Sequence, residues 1–269
     1  MDTSSFIGIL IAVAGILIGL LVEGGHIGQI LQPTAAMIVF GGTLGAVMLQ
    51  FPLNIVGRAA RKLMRVFVYR SNNPQNLVRQ LIQYANKARR SGIVSLDQDL
   101  NAIHDPFLKK ALTLAVDGTE PAELRKTMEL HLANQLDLEE KIPAVFDAAG
   151  GFSPTIGILG AVMGLIQVMQ HLDKIEEVGR GIAVAFVATI YGVGAANLFF
   201  LPVAGKLRGR IEEEHLMKEM ALEGVISILE GLNPRMIELK LESFVAASGT
   251  KKRQPVAVGR GTDKNEDAA

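Results

Sequence analysis

The stretch from Phe152 to Pro202 constrains this chain more than any other. It holds two apolar segments, Phe152 to Gln170 and Gly181 to Pro202, joined by a short charged link from His171 to Arg180. At the rise of an α-helix each segment is about 28 to 33 Å long, enough to cross a hydrocarbon core, and neither contains Asp, Glu, Lys or Arg. The pair is predicted to be a membrane hairpin. Among its residues, Pro154, Thr155, Gln167, Thr189, Tyr191 and Asn197 have no use in a segment that faces only lipid. Unpaired polar groups are costly where no water is available, so these positions are expected to face protein or a hydrated path. Gly157, Gly160 and Gly164 lie close to one helical face, a small-residue spacing that lets two helix backbones approach closely.

The rest of the chain fits a polytopic membrane protein with a substantial aqueous part. Of its 269 residues 49% are hydrophobic and 20% charged, and the two kinds are segregated along the sequence. The net charge is zero and no basic stripe is interleaved with aromatics, which argues against a nucleic-acid partner. The absence of cysteine excludes disulfides, thiolate metal sites and cysteine catalysis.

In chain order, residues 4–22 read as a first transmembrane helix with Gly15 and Gly19 inside, and residues 34–51 as a second, with Gly41, Gly42 and Gly45 on a glycine face. Only Asp2 precedes the first, so the basic head of a signal peptide is missing. The link from Glu23 to Pro33 carries no Lys or Arg, whereas Arg58, Arg61, Lys62, Arg65 and Arg70 follow Pro52, and Lys206, Arg208 and Arg210 follow Pro202. By the positive-inside rule both basic flanks are cytoplasmic, which gives four spans with both termini inside.

The sequence thus divides into a first hairpin over 1–52, a cytoplasmic helical domain over 53–150, a second hairpin over 151–202, an amphipathic helix over 203–247 and a disordered tail over 248–269. Within the cytoplasmic domain, Asn73-Pro74 caps one helix that Gly92 breaks, and Ser95 to Asp97 starts a short second one. Asp105-Pro106 starts a third, and Thr119 to Pro121 a long fourth that Pro143 interrupts after Ile142. The fold class is all-α, with four transmembrane helices and a helical cytoplasmic domain. No strand alternation, glycine-rich nucleotide loop, metal-ligand cluster or nucleophile with a base at motif spacing is evident, so the chain reads as no enzyme and no cofactor is expected.

Several segments together resemble the MotA family of flagellar motor stator subunits, within the MotA/TolQ/ExbB proton channel superfamily. They are Ile38 to Ala46, Ala88 to Asp97, Gly151 to Leu165, Ala185 to Gly194 followed by Pro202, and Glu223 to Pro234. Gly194 departs from the pattern, standing where a larger apolar residue is usual. The resemblance implies a homo-oligomer, a pentamer in the family, surrounding the single-span helices of a MotB dimer in the bacterial inner membrane. It implies ion flow through that complex and torque on the rotor protein FliG.

The resemblance also assigns residues. Pro154 and Pro202 match prolines at the ends of the third and fourth spans that couple ion flow to conformational change, although a proline also simply marks a helix boundary. Thr189 matches a threonine facing the MotB acid; back-bonding to its own helix is the competing reading. Tyr191 belongs to the same stretch of the ion path. Ala161 stands where sodium-driven relatives carry a threonine hydroxyl, and sodium needs oxygen ligands, so its methyl group points to protons as the coupling ion. Arg89, with Arg90 beside it, and Asp97 match charges that meet FliG, against a default of solvated surface. His26 and His171 sit in the external links and read as solvated, and His104, His131 and His215 as surface or helix-packing positions.

An independent point agrees with this resemblance. A proton path needs a titratable group at membrane depth, and these spans offer none, so the carrier is expected on a partner, which the family places on an Asp of MotB. The missing acid also disfavours a stand-alone ion transporter. An ExbB- or TolQ-like energiser of outer-membrane processes is disfavoured by the extra N-terminal pair of spans. A purely structural scaffold accounts for the glycine faces but not for Pro154, Thr189 and Pro202 together.

Overall fold

Helices are the only regular elements among the described residues, 3–67 and 73–251 of a computed structural model. They are α1 (Thr3–Val22), α2 (Pro33–Gln50), α3 (Leu53–Phe67), α4 (Pro74–Ser91), α5 (Pro106–Val116), α6 (Pro121–Gln170), α7 (Ile175–Leu229) and α8 (Pro234–Lys251). A 3-10 turn at Ile27–Gln29 links α1 to α2, and a 3-10 helix, Ile93–Ala102, follows α4. Of these, α2, α6 and α7 each contain an apolar window long enough to cross a membrane, and Phe6–Val22 of α1 is a shorter apolar helix.

Several boundaries differ from the sequence reading, for reasons that lie in packing. Pro143 does not interrupt its helix: α6 runs unbroken from Pro121 to Gln170 with Pro143 and Pro154 both inside. An internal proline costs about 3 kcal/mol. Here Ile142, Val145, Phe146 and Ala149, all buried in one apolar cluster, hold the flanking turns in place. Pro202 likewise marks no helix end, because α7 continues to Leu229. It follows a widened π turn at Ala196–Phe200, and the wider register accommodates a residue that has no N–H to donate. The second link is shorter than expected, since α7 begins at Ile175. The helix expected from Ser95 is a 3-10 helix that starts at Ile93. The amphipathic segment expected over 203–247 is split by Gly231, whose φ of 74° ends α7 and turns the chain into α8. Helix α8 extends to Lys251; the remainder of the tail and Arg70 lie outside the described residues.

The chain forms two compact units. The first comprises Met1–Asn72 and Glu129–His215, the second Asn73–Met128 and Leu216–Ala269. In the first unit, Val47 of α2 and Ile55 and Ala59 of α3 join Ile142 to Ala149 of α6 and Val203, Ala204 and Leu207 of α7 in one core cluster. Charges flank it: Lys62 pairs with Glu139 at 3.7 Å, and Arg208 hydrogen-bonds to Asp147. A second cluster joins Ala35 and Val39 of α2 to Val187 and Ala188 of α7.

The second unit has its own core, with Leu81, Leu96, Leu108, Leu112, Leu124, Met128, Ile226, Ile237 and Leu241 essentially inaccessible. Its helices start where short side chains cap them. The Asn73 side chain accepts from the backbone N–H of Gln75, and that of Asp105 from Phe107 and Leu108.

Candidate functional site: a small-residue helix pair in the membrane

The apolar halves of α6 and α7 meet along two matched rows of small residues. On α6 these are Ser153, Gly157, Gly160 and Gly164; on α7 they are Gly181, Ala185, Ala188 and Gly192. Both rows have steps of four, three and four residues, so each keeps one face of its helix. The partners run in opposite order, as in an antiparallel hairpin. A Cβ on Gly157 would lie 2.8 Å from the Ala188 carbonyl oxygen, and one on Gly192 would lie 2.6 Å from the Ser153 carbonyl oxygen. At the other end, a Cβ on Gly164 would meet the Gly181 carbonyl oxygen at 2.8 Å. These neighbours are backbone atoms, which cannot swing aside. Lipid tails are as apolar as these side chains, so close backbone approach, rather than escape from water, holds the pair together.

One buried side chain adds a polar bond. Ser153, fully inaccessible, donates from its hydroxyl to the Gly192 carbonyl at 3.0 Å. Helix α2 packs alongside: Ile38 lies against Gly160, and Ile156 against Gly42. The other glycines expected to form faces, Gly15, Gly19, Gly41 and Gly45, have open space beside them within the chain.

Five of the candidate residues fall on this pair of helices. Pro154 and Ala161, seven residues apart and both half-buried, occupy one side of α6 next to the glycine row. Pro154 has no N–H to give the carbonyl of Gly150, so one helical hydrogen bond is missing at that turn. Thr189, half-buried on α7, donates its hydroxyl proton to the Ala185 carbonyl at 3.2 Å and keeps its oxygen lone pairs for a second partner. Tyr191 reaches the link between α1 and α2. Its hydroxyl donates to the Ile30 carbonyl at 2.6 Å and accepts from the Gln32 backbone N–H at 3.3 Å, with Phe40 stacked at a tilt 6.1 Å away. Pro202 lies further along α7, beside core residues Val203 and Ala204.

In the second unit, Arg89 and Arg90 end α4 and Asp97 lies on the 3-10 helix after Gly92. All three are exposed, and none has an ion-pair partner among the described residues. The turn carrying them is braced by Lys87, whose ammonium reaches Asp99 at 2.7 Å. Gly92 itself has a φ of 79°, which a residue with a Cβ adopts only under strain. Sequence reasoning missed this brace. It also missed the charge centre of the unit, where Glu223 is gripped by Arg125 at 3.0 Å and by Lys240. Burial raises the Glu223 carboxyl, but the hydrogen bonds and charges of Lys240 and Arg125 outweigh it and hold the group below the usual glutamate range.

Of the histidines, His171 has its Nδ1 3.0 Å from the Gln167 carbonyl, which accepts when that nitrogen carries the proton, and faces Glu177 at 3.3 Å. Among the described residues no cluster of His, Cys, Asp or Glu has metal-site composition.

Comparison with known proteins agrees with this architecture. Residues 6–92 match the family described as Motility protein A N-terminal, and residues 99–220 match the MotA/TolQ/ExbB proton channel family. Motility protein A of Bacillus subtilis is 33% identical over the full length of both chains. A C. jejuni MotAB structure superposes with a TM-score of 0.86 at 32% identity, covering 91% of this chain and 96% of that one. The flagellar MotAB stator complex of Bacillus subtilis superposes with a TM-score of 0.84 at 32% identity, covering 93% and 100%. Sequence likeness over the whole chain, fold, and a helix pair whose apolar stretches carry no Asp, Glu, Lys or Arg all lead to one conclusion: the chain belongs to the MotA/TolQ/ExbB proton channel family, as a multi-pass inner-membrane flagellar stator subunit rather than an enzyme.

Proposed function

We propose that copies of this chain, five in the arrangement the family implies, surround the single-span helices of a MotB dimer and form the wall of a proton channel. Protons then pass between this chain and MotB, and the second unit applies torque to the rotor protein FliG through Arg89, Arg90 and Asp97. The observation that carries this reading is the absence of any Asp, Glu, Lys, Arg or His from the apolar stretches 152–170 and 181–202. A proton carrier is needed at that depth, and a carboxylate on MotB supplies it. The similarity to two solved MotAB complexes supports the same partner.

Protons rather than sodium are the coupling ion, because Ala161 provides no oxygen ligand. Thr189 accepts or relays a hydrogen bond beside the carrier, Tyr191 holds the mouth of the path, and Pro154 and Pro202 locate where α6 and α7 flex. The chain crosses the membrane four times, as α1, α2 and the apolar parts of α6 and α7, with both termini in the cytoplasm.

The stoichiometry and partner are tested by native mass spectrometry of the chain co-expressed with its cognate MotB. A mass of five copies with two MotB chains supports the reading, and a complex lacking MotB contradicts it. Topology is tested with single cysteines, since the natural chain has none. A cysteine at Ser248 should react only with reagents that enter the cytoplasm, and one at Gln29 with impermeant reagents from outside.

A further inference from the structure

Helix α3 carries an apolar face wider than its own core needs. Ile55 and Ala59, with the half-buried Val56 and Leu63, point into the core shared with α6 and α7. Beside these residues, Leu53, Gly57, Ala60 and Met64 continue the same apolar face as an exposed stripe at steps of four, three and four residues. Leu53 is 69% exposed and Met64 74% exposed, so none of the described residues covers that stripe.

Two exposed arginines occupy the polar face beside the stripe, Arg61 next to it and Arg58 further round, and neither has a carboxylate partner among the described residues. By contrast, Lys62 of the same helix is engaged with Glu139, and Arg208 of α7 with Asp147. Helix α3 starts immediately after the extended Phe51 and Pro52 that end the membrane-length helix α2. It therefore begins at the level where the chain leaves the bilayer. An apolar stripe edged by unpaired cations at that depth has the chemistry of an interfacial helix, with carbon atoms toward acyl chains and guanidinium groups toward lipid phosphates.

We infer that α3 is an anionic-phospholipid binding element, in which Leu53, Ala60 and Met64 sit in the headgroup boundary and Arg58 and Arg61 bind the phosphates of anionic lipids of the same leaflet. Guanidinium groups suit this task because their planar fork matches two phosphate oxygens at once. The inference goes beyond the stator reading and does not depend on MotB, since it concerns only this chain and its bilayer.

The test uses the full chain alone, reconstituted into equimolar vesicles of phosphatidylcholine and phosphatidylglycerol, then extracted gently and weighed with its retained lipids. The unmodified chain should retain phosphatidylglycerol in preference to phosphatidylcholine. Arg58→Gln with Arg61→Gln should reduce that preference about tenfold or more, at about fivefold per charge, while Arg58→Lys with Arg61→Lys should preserve most of it. Equal preference in the glutamine variant overturns the assignment. A change in oligomer mass without a change in lipid retention also overturns it and makes the stripe a contact between copies. Should the glutamine variant fail to fold, salt decides with the unmodified chain: preference must fall between about 0.05 M and about 0.5 M salt, and constancy contradicts phosphate binding.

Discussion

The Ser153 hydroxyl donates to the Gly192 carbonyl at 3.0 Å, while a Cβ on Gly192 would stand 2.6 Å from the Ser153 carbonyl. The two residues thus set the spacing of α6 and α7 in both directions: one bond holds the backbones together, and one missing methyl lets them approach. Gly192→Val should separate the helices, since overpacking against backbone costs about 1–3 kcal/mol or more. Soft-agar motility should be lost with protein still present in the membrane. Ser153→Ala removes only one bond, about 1 kcal/mol, and should leave motility measurably reduced rather than abolished.

Much of this pair was legible in the sequence, because lipid-spanning segments without charge and with glycine at helical spacing admit few packings. Gly157, Gly160 and Gly164 stood out for that reason. Their counterparts Gly181, Ala185, Ala188 and Gly192 did not, although the same four-three-four step was there to be matched between the two segments. The boundaries were the least legible part. A proline reads locally as a stop, yet Pro143 and Pro154 sit inside one helix because packing on both sides outweighs the missing bond. The partners of Glu223 come from residues 98 and 17 positions away, a separation that local pattern cannot bridge.

Glu223 gives the second unit an acid sensitivity. Its carboxyl is held below its ordinary range by Lys240 and Arg125. Stability from this group is therefore present above the unfolded-state value of about 4.3 and is lost as pH falls through the lower folded value. Glu223→Gln should lower stability by roughly 1–3 kcal/mol near neutral pH and flatten the acid limb of thermal unfolding in the full chain. An acid limb identical to that of the unmodified chain would contradict the role.

Charge reversal at Arg89 or Asp97 should impair torque while leaving the fold intact. Both side chains are exposed and without an ion-pair partner among the described residues. A stability change within about 0.5 kcal/mol is expected. The check is tethered-cell rotation in a strain with no other stator, alongside membrane levels of the protein. Lys87→Glu is the contrast: it breaks the brace to Asp99 at 2.7 Å and should disturb the turn itself.

Tyr191→Phe removes the donor to the Ile30 carbonyl and the acceptor for the Gln32 N–H. Each bond contributes about 1 kcal/mol. On the proposed topology, proteolysis from the external side at the Glu23 to Pro33 link should accelerate, and swimming should slow.

Swimming speed measured against external sodium at fixed pH should stay flat, because Ala161 supplies no oxygen ligand. A steep sodium dependence would exclude proton coupling.

The most direct test of the whole account is proton uptake by cells that co-express this chain with its cognate MotB freed of its plug. The companion strain carries a MotB whose membrane Asp is changed to Asn. The account predicts cytoplasmic acidification only with both chains and only with the Asp, since this chain has no acid or base in its apolar stretches 152–170 and 181–202. Acidification by this chain alone would contradict it.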